Sequence, residues 1–206
     1  SITPAVPGEE YELGEASFLI FAPNADYGDN LNNWSVGIRL TYGSTSFVMS
    51  GDAETSAEED ILEAGYDLSA DVFKASHHGS ETSNTREYLE AINPSAAVIS
   101  CGVDNSYGHP DASVLELFEE LGIDVYRTDE QGTIIAISDG SNITFSTAPD
   151  AEGANASNNT DANTSENSDA NASDNAEADD SGEATGTANG DSADDIIVHI
   201  TQTGER

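Results

Sequence analysis

The chain has 206 residues, with 5 basic side chains against 40 acidic ones and a formal charge of −35. A surface this acidic repels polyanions and excludes a passive nucleic-acid grip, which needs clustered Lys and Arg on phosphates. It leaves a nuclease open, because bound divalent metals change the local charge. The single cysteine, Cys101, excludes an internal disulfide, and no apolar run is long enough to span a bilayer. Its setting after an apolar run, between Ser100 and Gly102, reads as a small buried residue rather than a nucleophile.

Ser17–Ala22 reads as a strand, followed by a long polar loop from Pro23 to Asn33. Residues 34–42 (WSVGIRLTY) alternate as a half-buried strand, Gly43-Ser44 turns, and 45–50 (TSFVMS) returns as the second arm of a hairpin ending at Gly51-Asp52. Residues 53–64 are expected as a helix, with acids toward its N-terminus and Gly65 closing it. Residues 70–76 form a buried strand running into His77-His78-Gly79-Ser80. A helix over 84–92, a strand over 96–100, a helix over 112–121 and a strand over 123–127 follow, then a hairpin of 133–138 with 141–146. Strands alternating with helices at this spacing define a layered α/β domain over residues 1–147.

From about Ala148 to Asp195 the chain is almost only Ala, Asn, Asp, Ser, Thr, Gly and Glu. Such a segment cannot bury enough apolar surface to offset its conformational entropy, so 148–195 is expected as a disordered, acidic spacer that extends by self-repulsion. Spacers of this composition suit proteins outside the cell, so an extracellular or cell-surface bacterial location is expected. Residues 196–206, opening with Ile196-Ile-Val-His-Ile, read as the start of a further small module.

Three of the four histidines sit at strand ends or helix starts, where layered α/β folds build their sites. Asp52, His77, His78 and His109 each occupy such a junction. If the strands are parallel neighbours, these side chains converge at one edge, and a carboxylate with imidazoles suits zinc, manganese or iron. A Gly-Asp after a strand is ordinarily a turn or cap, and Tyr107-Gly-His-Pro serves equally as a loop before a helix. Adjacent imidazoles followed by Gly are harder to place in a core. Ser80 and Ser83 read as loop and cap hydroxyls, and no acid–His–Ser spacing supports a serine triad.

Taken together, 45–54 (TSFVMSGDAE), 70–83 (ADVFKASHHGSETS), 97–110 (AVISCGVDNSYGHP) and 125–134 (VYRTDEQGTI) are similar in order and spacing to one protein family. They resemble the C-terminal half of the metallo-β-lactamase-like domain of ComEC-type competence proteins and of their secreted relatives. The resemblance implies an αββα sandwich with a site for two divalent metal ions, zinc before manganese, at one edge. It implies that Asp52 bridges the metals and that His78 is the last ligand histidine. His77 and His109 would act beside the substrate on a phosphoryl or acyl oxygen, with Ser80 able to bond the same group. The implied activity is metal-dependent hydrolysis of a phosphodiester, DNA being one candidate.

The family's His-x-His-x-Asp-His signature is absent, and no histidine precedes His77. The chain is therefore expected to be a fragment, inactive alone, with apolar faces of its hairpin strands exposed. The alternative is a non-catalytic extracellular binding module with a degenerate site. A third reading, an acidic α/β domain with incidental histidines, is weakened by the joint match of all these blocks.

Overall fold

The computed structural model describes residues 3–148 and 196–200. The expected disordered spacer, 148–195, lies outside the described residues except for Ala148, the last residue of a strand, and 201–206 lie outside them too.

One seven-stranded sheet organises the described chain: β1 (Glu10–Leu13), β2 (Ala16–Ala22), β3 (Gly37–Tyr42), β4 (Thr45–Met49), β5 (Val72–Lys74), β6 (Ala96–Ile99) and β7 (Asp124–Arg127), in that spatial order. β1 to β4 are antiparallel, β1–β2 and β3–β4 through tight turns and β2–β3 through the long loop, and β4 to β7 are parallel through helical crossovers. The crossovers are α1 (Thr55–Ala64), α2 (Arg86–Ile92) and α3 (Ala112–Glu120). After a single helical turn, α4 (Thr128–Gln131), β8 (Thr133–Ser138) and β9 (Ile143–Ala148) form a second sheet in which β8 is central and β10 (Ile196–Ile200) is an edge.

The central strands are buried on both faces, which is why they read as unbroken apolar runs. Val48, Phe73, Ala97 and Ile99 join one core with Ile61 of α1, Tyr88, Leu89 and Ile92 of α2, and Val114 and Phe118 of α3. The alternate residues Phe47, Val72 and Val98 join a second core with Ile134 and Ala136 of β8. Ala57 and Ile61, like Val114 and Phe118, recur four apart and so face the sheet together. Replacing a side chain as fully buried as Phe73 by Ala would cost about 3–5 kcal/mol.

The layers are thus helices, a mixed seven-stranded sheet and a small three-stranded sheet, and the α/β expectation holds. The hairpin faces expected to be exposed are covered. Leu40, Tyr42, Phe47 and Val48 are all buried, because helices pack on one side and the small sheet on the other. Residues 196–200, read as opening a further module, pair antiparallel with β8 from Ile196↔Ser138 to Ile200↔Ile134. Elements not legible in the sequence include β1, the 3-10 turn before β3 and α4. The β1 strand is only four residues long and exposed throughout, so no burial distinguishes its faces, and Trp34 sits in a 3-10 turn (Asn32–Trp34) rather than in β3.

Candidate functional site

The parallel strands β4, β5 and β6 end at the same edge, so the loops after them meet there. Asp52 follows β4, His77 and His78 follow β5, and His109 lies in the loop after β6. With Asn32 and Tyr107 they line one open cleft of about 280 Å³. Every residue singled out from the sequence as a candidate ligand or catalytic group is in this cleft. Ser80 is not: its side chain is buried and its hydroxyl pairs with that of Thr82 at 3.1 Å. The expectation that Ser80 reaches a substrate is corrected, and Ser83 is a buried loop hydroxyl donating to the Ala53 carbonyl.

The His-His turn is built from unusual backbone. His77 (φ 47°, ψ 46°) and His78 (φ 57°, ψ 21°) both lie in the left-handed region. For residues with a Cβ this costs on the order of 1–2 kcal/mol each, so the surroundings must hold the turn. The left-handed pair points both imidazoles out of the sheet edge, with ring centroids 6.2 Å apart. Gly79 (φ +81°) follows, and a Cβ there would come within 2.7 Å of Pro110 Cβ. That close approach, with Asp111 N–H donating to the Gly79 carbonyl at 2.9 Å, seats the His109 loop over the turn. The His77 and His109 rings end 5.8 Å apart.

Each imidazole is oriented by a partner. His78 Nδ1 is 2.6 Å from the Ser100 carbonyl, which can only accept, so Nδ1 carries the proton. In the neutral ring Nε2 is then the lone-pair nitrogen, and it lies 3.5 Å from Asp52 Oδ1. This is the arrangement by which a second partner fixes a ligand histidine's tautomer. His109 Nδ1 likewise donates to Asp111 Oδ2 at 3.1 Å. His77 Nδ1 is 3.3 Å from Thr82 Oγ1 and 3.7 Å from Glu54 Oε1. Asp52 is placed from below: its N–H donates to Ser35 Oγ at 2.9 Å, and the Gly51 carbonyl accepts from His77 N–H at 3.0 Å.

Two carboxylates at helix N-caps are diverted to the cleft instead of capping. Glu54 precedes α1 yet accepts from Asn30 and Asn32 side chains at 2.9 and 3.0 Å. Those bonds, with the nearby His77, hold its carboxyl below the usual range. Asp111 precedes α3 yet bonds His109 and the Glu81 N–H.

Sequence reasoning missed Lys74, the last residue of β5. It is half-buried, donates to the Ala75 carbonyl at 2.7 Å, and burial pulls its ammonium below the ordinary lysine range, an effect the Asp52 charge partly offsets. The available signal was a lone lysine inside an otherwise apolar strand leading into the histidines. Cys101 is buried as expected, and burial with the neighbouring Asp129 pushes its thiol up to about 12.

The chemistry of a metal site is only partly met. Asp52 and His78 fit as two adjacent donors, a carboxylate and an imidazole whose Nε2 faces it. Among the described residues, however, no group of three or more His, Cys, Asp or Glu side chains is arranged to hold an ion. No helix among them is long and apolar enough to cross a membrane.

Fold and cleft together define a layered α/β domain with an aspartate–histidine cleft at its parallel-strand edge. One of the proteins this domain is similar to is named as a competence protein. The chain is 34% identical over 127 residues to ComE operon protein 3 of Bacillus subtilis (strain 168), covering 62% of this chain and 16% of that protein. It is 35% identical over 127 residues to Competence protein ComA of Neisseria gonorrhoeae, covering 61% and 18%. It is 27% identical over 130 residues to the uncharacterized protein YcaI of Escherichia coli (strain K12), covering 63% and 17%. The chain thus spans less than a fifth of the length of these relatives. No family model matches.

Proposed function

We propose that this chain supplies part of the active site of a metal-dependent phosphodiesterase of the metallo-β-lactamase fold, nuclease-like in its chemistry. The observation that carries the reading is the convergence of Asp52, His77, His78 and His109 in one cleft, with the His78 tautomer fixed by Ser100 so that Nε2 faces Asp52. Asp52 and His78 would hold the metal, zinc before manganese, and further donors would come from outside residues 1–206. Divalent ions there would supply Lewis-acid polarisation of a phosphoryl oxygen and lower the pKa of an attacking water.

The chain's own residues do the rest. His109, held by Asp111, presents Nε2 to the cleft, where it can take a proton or orient a substrate oxygen. His77 stands between His78 and His109 and can bond the same group. Tyr107 lies flat against His109, 5.9 Å between centroids, and walls the cleft on that side. The relative named as a competence protein makes DNA one candidate substrate. The formal charge of −35 favours small phosphodiesters over long polyanions unless metals offset it. The spacer composition supports an extracellular or cell-surface location.

A second reading has an observation of its own. Two donors do not make a metal centre, and this favours a non-catalytic binding module with a degenerate site. Metal content of the reading frame extended upstream separates the two. About two transition-metal ions per chain, lost in Asp52→Ala/His78→Ala together with hydrolysis of a chromogenic diester, supports the enzyme. A folded, metal-free extended protein overturns it.

A further inference from the structure

Beneath the His-His turn lies a buried polar network that the proposed chemistry does not use. Asn84, 1% exposed, clamps the turn at both ends. Its Oδ1 accepts from Ser76 N–H at 2.9 Å, and its Nδ2 donates to the Ser76 carbonyl at 3.0 Å and the Ser80 carbonyl at 3.2 Å. Asn84 is itself left-handed (φ 64°) and is fixed from behind by Glu58, a fully buried carboxylate on α1. Glu58 Oε1 accepts from Asn84 N–H at 2.7 Å and Oε2 from Thr85 N–H at 2.8 Å. Ser76 is held again by Ser50 at the end of β4, hydroxyl to hydroxyl at 2.8 Å.

We infer that Asn84 is the positioning residue of this site, setting the turn that aims His78 at Asp52, with Glu58 as its anchor. The inference rests on the proposed metal-site reading only for its purpose; the geometry stands without it. Five residues span Ser76 to Ser80, and two of them occupy costly left-handed backbone. One side chain makes three bonds to the first and last of them. It thereby closes the turn around His77 and His78, and the turn in turn delivers His78 Nδ1 to the Ser100 carbonyl. Burying a carboxylate to brace an asparagine is costly unless its bonds are fully made, and Glu58 makes two. Partners behind a ligand histidine fix its ring orientation, and this brace stands in that place.

The test uses Asn84→Gly in the full chain. Gly keeps the positive φ and removes only the clamp. Ile134→Ala is the control, since it empties volume in the opposite core, far from the turn. Nitrogen NMR of the histidine rings reads the His78 tautomer directly. The wild type is expected to show a single Nδ1–H tautomer. Asn84→Gly should show averaged tautomers while remaining folded by circular dichroism, and Ile134→Ala should keep the wild-type signal. Zinc titration is the second readout, and Asn84→Gly should weaken any zinc binding by about tenfold or more. An unchanged His78 signal in folded Asn84→Gly, or an equal change in Ile134→Ala, overturns the inference. A wild type that shows the fixed tautomer, lost in Asn84→Gly, yet takes up no zinc even when extended upstream, sinks the enzyme reading and leaves the positioning role in place.

Discussion

Gly79 offers a way to weigh the cleft's construction. Gly65 and Gly79 are both left-handed, at φ +74° and +81°, but a Cβ at Gly65 meets nothing within 4 Å whereas one at Gly79 meets Pro110 Cβ at 2.7 Å and Ile99 Cγ2 at 3.4 Å. Alanine at either position pays the left-handed penalty, about 1–2 kcal/mol. At Gly79 it also pays for overpacking against a proline ring and a core strand, neither of which can swing away, about 1–3 kcal/mol more. Urea unfolding should therefore show Gly79→Ala below Gly65→Ala by roughly 0.5–1.5 M in midpoint, taking a urea slope of about 2 kcal/mol per M, with the slope unchanged. The excess should be accompanied by loss of the His77–His109 approach, seen as shifts of the His109 ring resonances in Gly79→Ala alone. Equal midpoints for the two variants would refute the claim that the Gly79–Pro110 contact seats the His109 loop.

The charge of −35 predicts that the folded state gains stability as salt screens self-repulsion; the melting temperature should rise by several degrees between low and molar KCl, and a flat response would contradict it. Glu54 has a folded pKa held below its unfolded value by Asn30, Asn32 and His77, so its contribution is present above the ordinary glutamate pKa and is lost as pH falls through the depressed one. Glu54→Gln should accordingly flatten the acid limb of stability against pH, and an unaltered limb would show that the carboxylate contributes nothing there. Cys101, with its thiol raised to about 12 and its side chain buried, should resist a thiol reagent at pH 8 until urea unfolds the chain; rapid labelling of the native protein would count against the described packing. Ile134→Ala should cost about 2–5 kcal/mol by chemical denaturation, because the side chain is fully enclosed between the two sheets.

The order of elements and the edge at which the candidate residues stand were legible in the sequence for a simple reason. Apolar runs such as Phe47–Val48, Val72–Phe73 and Ala96–Ile99 carry their burial on both faces in their composition, and Gly65 marks a helix end by local backbone needs alone. The strand-end positions of Asp52, His77, His78 and His109 follow once such strands are parallel, so these four were readable as neighbours, whereas Asn32 reaches the same cleft from the long loop without a sequence signal. What lay beyond reach depended on partners distant in the chain. β1 is a short, fully exposed segment whose pairing with β2 no burial announces, and β10 finds β8 across a stretch of chain in which no sequence signal specifies pairing. Ser80 looked free and is buried because the turn folds under itself. The tautomer of His78 is set by Ser100, the clamp on Ser76 and Ser80 by Asn84, and the anchor of Asn84 by Glu58, an acid that on sequence alone is one more surface charge on an acidic helix. Local propensity and patterning are written residue by residue, so the sequence determined which segments would be strands and helices and which residues would reach the edge. The bonds of His78 to Ser100 and of Asn84 to Glu58 join residues more than twenty positions apart and exist only after the sheet has assembled, and the shorter-range clamp of Asn84 on Ser76 and Ser80 needs the turn already folded, so the aim and bracing of those residues were decided by tertiary structure.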